Sequence, residues 1–337
     1  MKRLLILILI CISTKLIQGQ PVINFNKFPV TNNDTVPMKT ADLLKALDWE
    51  SIKKFSDTTK GYHARIYDYG LITEYKHLKQ GGIDRFSIGS YKGLVLYFSS
   101  DVSESLKDCE INYFDKSVWL MIANDCLPNL PDSMKLKTNE PQSMLLAYYR
   151  LLGVDTRDEY GWRCEYSSTP MEPTKRTAIM RLLYNSRYDL IRRLIRYPNT
   201  QTQVYAADAL IYMDYMSKQQ IEKQILLIEE YKKELDSLNN TDNLNMDKAK
   251  IIEASIKQEE DFIKYLEKEL LTEDDWRTIY ELRDSKQTVK ICGLSGSYKI
   301  YESNTADLLS DKAISEIPGN YKNLERNTIS TSKEKFR

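Results

Sequence analysis

The stretch from residue 174 to 216 constrains the fold more than any other part of the chain, because its apolar residues recur with the period of an α-helix. Two groups of three apolar residues have the spacing i, i+3 and i+4: Ile179, Leu182 and Leu183, then Ile191, Leu194 and Ile195. This spacing lines one face of a helix and predicts two short amphipathic helices. Pro198 and Asn199 end the second helix, and a third helix is predicted from about Gln203.

The polar side of the second predicted helix is basic. Its three arginines fall away from the apolar face and are predicted to point outwards: Arg192, Arg193 and Arg196. The third helix begins with small side chains, namely Ala206, Ala207 and Ala209. Such side chains let a neighbouring helix approach to about 8–10 Å, which predicts close helix packing.

The run from Leu190 to Asp214 contains a leucine-rich helix, a Pro-Asn turn and an Ala-Ala-x-Ala-Leu helix in that order. In this order it resembles a single HEAT-like helical repeat, and the resemblance implies a helical layer. Stacked repeats need about three units to bury a continuous core, and the sequence has no second copy at a fixed period. An ordinary helical hairpin in an α-rich domain therefore stays open as the alternative.

The first 19 residues have the order of a secretory signal peptide. Lys2 and Arg3 precede nine apolar residues, and Gly19 offers a small residue for cleavage. Nine residues reach only about 14 Å as a helix, which is too short for a hydrocarbon core of about 30 Å. We therefore predict an exported protein, periplasmic or secreted, without a transmembrane span after cleavage. Retention of the segment as a weak anchor is the alternative.

The composition predicts a folded domain, with 42% hydrophobic and 28% charged residues. Residues 1–19 carry three bases and no acids, so cleavage leaves 45 bases against 48 acids. This slightly negative net charge does not indicate the basic surface that nucleic-acid binding requires. The abundance of Lys, Asn, Ile and Tyr is typical of bacterial coding bias.

Four cysteines remain after the predicted cleavage: Cys109, Cys126, Cys164 and Cys292. An even number in an exported chain is compatible with two disulfides, for which three connectivities exist. We expect Cys109 to pair with Cys126, because they lie in one short segment, and Cys164 to pair with Cys292. Four reduced, buried thiols are the alternative.

The N-terminal half predicts a smaller, strand-containing part. Residues 20–39 read as an extended arm or linker, and residues 40–135 as an α+β region. Within that region, β-branched and aromatic residues punctuated by glycine predict short strands or irregular structure between 62 and 102. Residues 117–123 form a further apolar segment that is predicted to be buried.

The C-terminal half predicts four parts: a helical core (140–216), an antiparallel coiled-coil-like hairpin (217–271), a helix with a β-hairpin and a short helix (272–317), and a disordered tail (318–337). The hairpin follows from isoleucines and leucines at near-heptad spacing. Thr272, with Asp275 three residues later, predicts a capped helix start. The fold class is therefore α+β and predominantly α.

The loop between residues 155 and 168 is dense in charged and aromatic residues. Four of its side chains are the candidate binding residues, because loops that expose aromatics and arginine often recognise ligands: Tyr160, Trp162, Arg163 and Tyr166. The alternative is that Trp162 ties this loop down over the helical core.

Motifs for catalysis or for cofactors are missing from the sequence. The Gly293 to Ser297 segment lacks the glycine that a nucleophile elbow needs two residues after its serine. The only two histidines, His63 and His77, lack the spacing of a helical zinc pair, and no phosphate-binding loop occurs. We predict no cofactor and no metal site.

Two functions follow as hypotheses. The first is a non-catalytic binding or scaffold protein whose helical surface binds another protein or a cell-envelope component. The alternative is an exported hydrolase whose acidic catalytic residues come from distant loops.

Overall fold

The computed structural model describes residues 62–66, 72–78, 84–100, 113–154, 159–164, 172–239, 246–293 and 300–334. The fold is predominantly helical with two small antiparallel sheets, which confirms the predicted class. The chain divides into two compact units, residues 1–125 and 126–337. The predicted end of the N-terminal region, at residue 135, lies ten residues after the division between these units. The signal peptide and the arm at 20–39 lie outside the described residues.

The first unit contains an antiparallel sheet whose strands follow one another in chain order. Its strands are β1 (Tyr62–Ile66), β2 (Thr73–Leu78), β3 (Asp84–Tyr91), β4 (Leu94–Ser100) and β5 (Tyr113–Phe114). Lys92 and Gly93 connect β3 to β4, and both have positive φ, 49° and 77°. Positive φ at both central residues is the geometry of a tight hairpin turn, whose twist matches that of the strands.

Helix α1 (Lys116–Cys126) follows the sheet and includes the apolar segment predicted to be buried. The Asp115 carboxylate accepts hydrogen bonds from the backbone amides of Ser117, at 2.8 Å, and Val118, at 3.1 Å. These bonds satisfy amides that have no partner within the helix. The buried residues of α1 recur at helical spacing: Val118, Trp119, Ile122 and Ala123.

The second unit is built from helices and one small hairpin. Its helices are α2 (Gln142–Tyr149), α3 (Thr174–Tyr184), α4 (Tyr188–Leu194), α5 (Thr200–Asn239), α6 (Met246–Glu267), α7 (Glu273–Asp284), α8 (Thr305–Leu308) and α9 (Asp311–Glu334). Strands β6 (Thr288–Ile291) and β7 (Tyr301–Asn304) pair antiparallel, as the sequence predicts. A 3₁₀ turn (Asp132–Met134) precedes α2, and a π-helical turn (Arg150–Val154) follows it.

Helix α5 is continuous for 40 residues, or about 60 Å. The predicted boundary between a helical core and a hairpin, at residues 216 and 217, therefore falls inside one continuous helix. The first half of α5 is the centre of the core, where Ala206, Ala207 and Ala209 are fully buried. The second half forms a hairpin with α6, in which Ile228 and Ile252 are buried and Lys248 pairs with Glu234 at 2.8 Å.

Helix α7 begins with the predicted cap. The Thr272 hydroxyl accepts a hydrogen bond from the Asp275 amide at 3.1 Å, and the Asp275 carboxylate accepts one from the Thr272 amide at 3.1 Å. These reciprocal bonds form a capping box and satisfy two backbone amides at the start of the helix.

The predicted disordered tail from residue 318 is wrong, because α9 continues to Glu334 and Pro318 lies inside it. Proline removes one backbone donor and tends to bend a helix, which is why it suggested an end. Burial at helical spacing outweighs that cost here: Ile317, Tyr321 and Leu324 all lie in the core.

Across the described helices, none combines the length and the apolar content that crossing a membrane would require.

Candidate functional site

An ion pair with no solvent exposure lies at the centre of the second unit, between Arg176 of α3 and Asp208 of α5. The guanidinium binds the carboxylate with two parallel hydrogen bonds, Nη1 to Oδ1 at 3.0 Å and Nη2 to Oδ2 at 2.7 Å. Such bidentate geometry is the strongest arrangement for this pair of groups. A buried ion pair persists when its remaining donors and acceptors are also satisfied.

Neighbouring groups complete the hydrogen bonding of this pair. The hydroxyls of Tyr160 and Tyr321 donate to the Asp208 carboxylate at 3.0 and 2.6 Å. Nε of Arg176 donates to the Gly161 carbonyl at 3.1 Å, and Nη1 also donates to the Tyr321 hydroxyl at 2.9 Å. Asp208 therefore accepts four hydrogen bonds, which is what an ionised carboxylate requires.

Four aromatic rings surround the guanidinium of Arg176. The Cζ atom lies 3.7 Å from the ring centre of Trp162, 4.7 Å from Tyr205, and 5.3 Å from both Tyr160 and Tyr321. These distances are within the range of cation–π attraction, which strengthens when water is absent. We call Arg176, Asp208 and these four rings the Arg176 cage.

Burial shifts the pKa values of the cage. Burial raises the pKa of the Asp208 carboxyl, and the Arg176 guanidinium opposes that rise. Burial disfavours the charge on Arg176, but Asp208, Tyr321 and Tyr160 together outweigh it and hold the pKa of the guanidinium well above its ordinary value. Burial also raises the pKa values of Tyr160 and Tyr321, so both hydroxyls stay protonated as donors. The cage therefore offers no exposed acid or base.

The four candidate binding residues divide between this cage and the surface. Tyr160 is only 5% exposed, and its role in binding stays a prediction. Trp162 is half-buried against Arg176 and meets the Tyr321 ring edge-on at 5.0 Å. Arg163 is half-exposed and lies 3.8 Å from Glu172. Tyr166 lies outside the described residues. The packing of Trp162 supports the alternative, in which it ties the loop down over the core.

A disulfide between Cys164 and Cys292 fastens the same loop, with the two Cα atoms 5.3 Å apart. The backbone of Tyr160 bonds the adjacent strand on both sides, since its amide donates to the Lys290 carbonyl at 2.7 Å and its carbonyl accepts from the Cys292 amide at 3.0 Å. A β-carbon at Gly161 would lie 2.5 Å from the Cys292 sulfur, so the position needs glycine. The other expected pair includes Cys109, which lies outside the described residues.

A small cleft of about 380 Å³ lies beside this loop. Trp162 and Arg163 line one side of it, and Asp307 and Glu316 also line it. Asp307 is occupied as the partner of Asn304 at the start of α8, where its carboxylate accepts from the Asn304 amide group at 2.8 Å. Tyr160 and Gly161 also line this cleft, so it brings together the predicted loop residues that the structure describes.

A larger cleft, of about 1060 Å³, lies elsewhere in the second unit. Arg192, Arg193 and Arg196 line one wall. The opposite wall is the segment 126–134, whose apolar lining residues are Leu127, Pro128, Leu130, Pro131 and Met134. Tyr197 and Pro198 close one end. We call this the basic cleft.

The three arginines of the basic cleft differ in their partners. Arg192 donates to the carbonyls of Glu269 and Leu270, at 3.0 and 3.1 Å, and lies 3.6 Å from the carboxylate of Asp275. Arg196 binds Asp274 at 2.8 Å. Arg193 is exposed and donates to the Ser133 carbonyl at 3.4 Å, and it forms no ion pair with any residue that the structure describes.

Comparison with known proteins assigns no family to this chain. No protein-family model matches the sequence, no curated protein matches it, and no solved structure matches it. The site must therefore be interpreted from its own chemistry. Among the described residues, no group of three or more histidine, cysteine or acidic side chains is placed to hold a metal ion.

The sequence predicted the outward-facing arginines of the basic cleft but not the segment 126–134 that also lines it. The spacing of the apolar residues in α4 placed the three arginines on its outer side, as observed. The segment 126–134 comes about 60 residues earlier in the chain, and no periodicity connects the two. Two prolines within nine residues were the available signal of a rigid loop, since proline fixes its own backbone angle.

Proposed function

We propose that this chain is a non-catalytic, exported binding protein, and that the basic cleft is its binding site. The observation that carries the proposal is the combination of size and lining: about 1060 Å³ of space, a largely apolar lining, and three arginines beside it. Ligand sites in proteins occupy about 300–1,000 Å³ and combine apolar surface with a few placed polar groups.

The lining favours binding over catalysis. In the part of the cleft that the structure describes, the ionisable side chains are three arginines, Cys126 and Tyr197, with no histidine or carboxylate. An arginine stays protonated in proteins and cannot serve as a general base. A hydrolase would need a group able to take up a proton within hydrogen-bonding reach of its substrate.

The walls are held in place by internal bonds. In the segment 126–134, the Leu130 amide bonds the Leu127 carbonyl at 3.1 Å and the Met134 amide bonds the Pro131 carbonyl at 2.9 Å. The next buried residue, Leu136, donates its amide to the Tyr149 hydroxyl at 3.0 Å. A wall that is already ordered loses little entropy when a ligand binds, and this supports a preformed site.

The predicted secretory signal and the buried disulfide both support export. A disulfide persists in oxidising compartments outside the cytosol, and Cys164 and Cys292 form one at the centre of the second unit.

Site-specific photocrosslinking tests the proposal. A benzophenone side chain replaces Asn129, which is exposed and lines the cleft, in cells that export the full chain. The matched control carries the same group at exposed Thr177 on α3. We expect a discrete adduct from position 129 that disappears when Arg193→Glu is added. Equal adducts from position 177, or an adduct indifferent to Arg193→Glu, would contradict a binding role for the cleft.

A further inference from the structure

We infer that the ligand of the basic cleft is an extended peptide segment that carries one carboxylate between apolar residues, and that Arg193 binds the carboxylate. The inference rests on the proposed function and specifies its ligand. It follows from the charges, the apolar wall and the open shape of the cleft.

The first step is the charge that remains uncompensated. Arg196 is paired with Asp274 at 2.8 Å, and Arg192 lies 3.6 Å from Glu269 and 3.6 Å from Asp275. Asp189, one turn before Arg193 on α4, is bound by Arg187 at 3.0 Å. Arg193 forms no ion pair among the described residues, and the Asp189 carboxylate, which Arg187 binds, attracts it only over a longer distance. A ligand with one negative charge therefore complements Arg193. A polyanion would be repelled by the three carboxylates that lie beside Arg192 and Arg196.

The second step is the position of Arg193. Its present contact, to the Ser133 carbonyl at 3.4 Å, is long for an N–H···O hydrogen bond. A carboxylate offers the guanidinium two parallel, charge-assisted hydrogen bonds, which are about twice as strong as neutral ones. A ligand carboxylate therefore replaces a weak contact with a strong one, without breaking an existing ion pair.

The third step is the facing wall. Pro128 and Pro131 lack backbone N–H groups, so this wall cannot bind a peptide as an added strand. Its Leu127, Leu130 and Met134 side chains offer apolar contact instead. The ligand must therefore supply apolar side chains next to its carboxylate, as in acidic motifs that arginines recognise.

The fourth step is the exposure of the cleft to solvent, which favours a peptide over an aliphatic carboxylate as its ligand. A lipid chain is bound in an enclosed cavity that removes most of its surface from water. The basic cleft is partly open to solvent, and a partly open cleft leaves a peptide backbone hydrated while its side chains make contact.

A random heptapeptide library displayed on phage provides the test, with the full chain as bait and its Cys164–Cys292 disulfide intact. We expect enriched peptides to share one Asp or Glu flanked by apolar residues. Binding of the synthetic peptides, measured by fluorescence anisotropy, should weaken about ten- to a hundredfold for Arg193→Gln, since a hydrogen bond to a charged group is lost. Arg181→Gln, a matched change at an exposed arginine of α3, should leave the affinity unchanged.

Each other outcome overturns the inference. It fails if no peptide is enriched, if a Glu-to-Gln peptide binds equally well, or if Arg193→Gln has no effect. Displacement of the peptide by decanoate at lower concentration than by unlabelled peptide would assign the cleft to aliphatic carboxylates. Asn129→Trp, which fills the cleft, separates the two proposals. If it abolishes binding while Arg193→Gln does not, only the ligand class is wrong; if neither matters, the cleft is not the binding site.

Discussion

Replacing Arg176 by methionine tests whether the Arg176 cage holds the second unit together. The substitution removes two hydrogen bonds from the Asp208 carboxylate and leaves the two from tyrosine hydroxyls. Charge-assisted hydrogen bonds contribute about 1.5–3 kcal/mol each, and removal of one partner of a buried ion pair costs about 3–5 kcal/mol. We expect Arg176→Met to lower the free energy of unfolding by about 3–5 kcal/mol.

Urea unfolding followed by circular dichroism at 222 nm measures the loss, and its pH dependence identifies the cause. Without the guanidinium, burial raises the pKa of Asp208 further above the unfolded value of about 3.9, and only the hydroxyls of Tyr321 and Tyr160 oppose that rise. A carboxyl with a raised folded-state pKa contributes stability that is present below the unfolded pKa and is lost as pH rises through the folded pKa. The destabilisation by Arg176→Met should therefore be smaller at about pH 4.5 than at about pH 7.5.

A matched control is Arg277→Met, which removes an exposed ion pair with Asp274 at 2.6 Å. Exposed pairs contribute about 0–1 kcal/mol, so this variant should unfold close to the wild type at both pH values. If Arg176→Met were no more destabilising than Arg277→Met, the cage would not stabilise the fold as argued. If Arg176→Met lowered the free energy of unfolding equally at both pH values, an unpaired charge on Asp208 would not be the cause.

Three further changes test other parts of the second unit. Replacing Cys164 and Cys292 by serine opens a link across 128 residues and should cost about 2–5 kcal/mol in the free energy of unfolding, measured in urea. Ala207→Leu should cost about 1–3 kcal/mol by overpacking a fully buried site, whereas Ala254→Leu on the exposed side of α6 should be neutral in the same measurement. Thr272→Ala should cost about 1 kcal/mol through loss of the α7 cap; an unchanged thermal midpoint would show that the cap is dispensable.

Periodic features of the fold could be predicted from the sequence. The i, i+3, i+4 spacing around Ile179 and Ile191 gave α3 and α4, and the near-heptad spacing after residue 217 gave the hairpin. These predictions succeed because periodic burial is a local property of the chain. The HEAT-like resemblance stays a prediction, as does the signal peptide.

Features that depend on distant partners could not be predicted. Tyr160 looked exposed because it lies in a charged loop, but its hydroxyl binds Asp208, 48 residues later. Arg176 and Asp208 are charged residues, which a sequence places on the surface unless their pairing is known. Pro318 suggested the end of a helix, and only the burial of Tyr321 against the cage shows why α9 continues.

The same reasoning explains why binding is assigned to the basic cleft and not to the cage. Both contain arginine, but the hydrogen-bonding groups of Arg176 are all turned to partners inside the protein and none is exposed. Arg193 is exposed, and its strongest possible partner, a carboxylate, is not supplied by the described residues. The incomplete pairing of Arg193, next to an ordered apolar wall, is therefore what favours a ligand there.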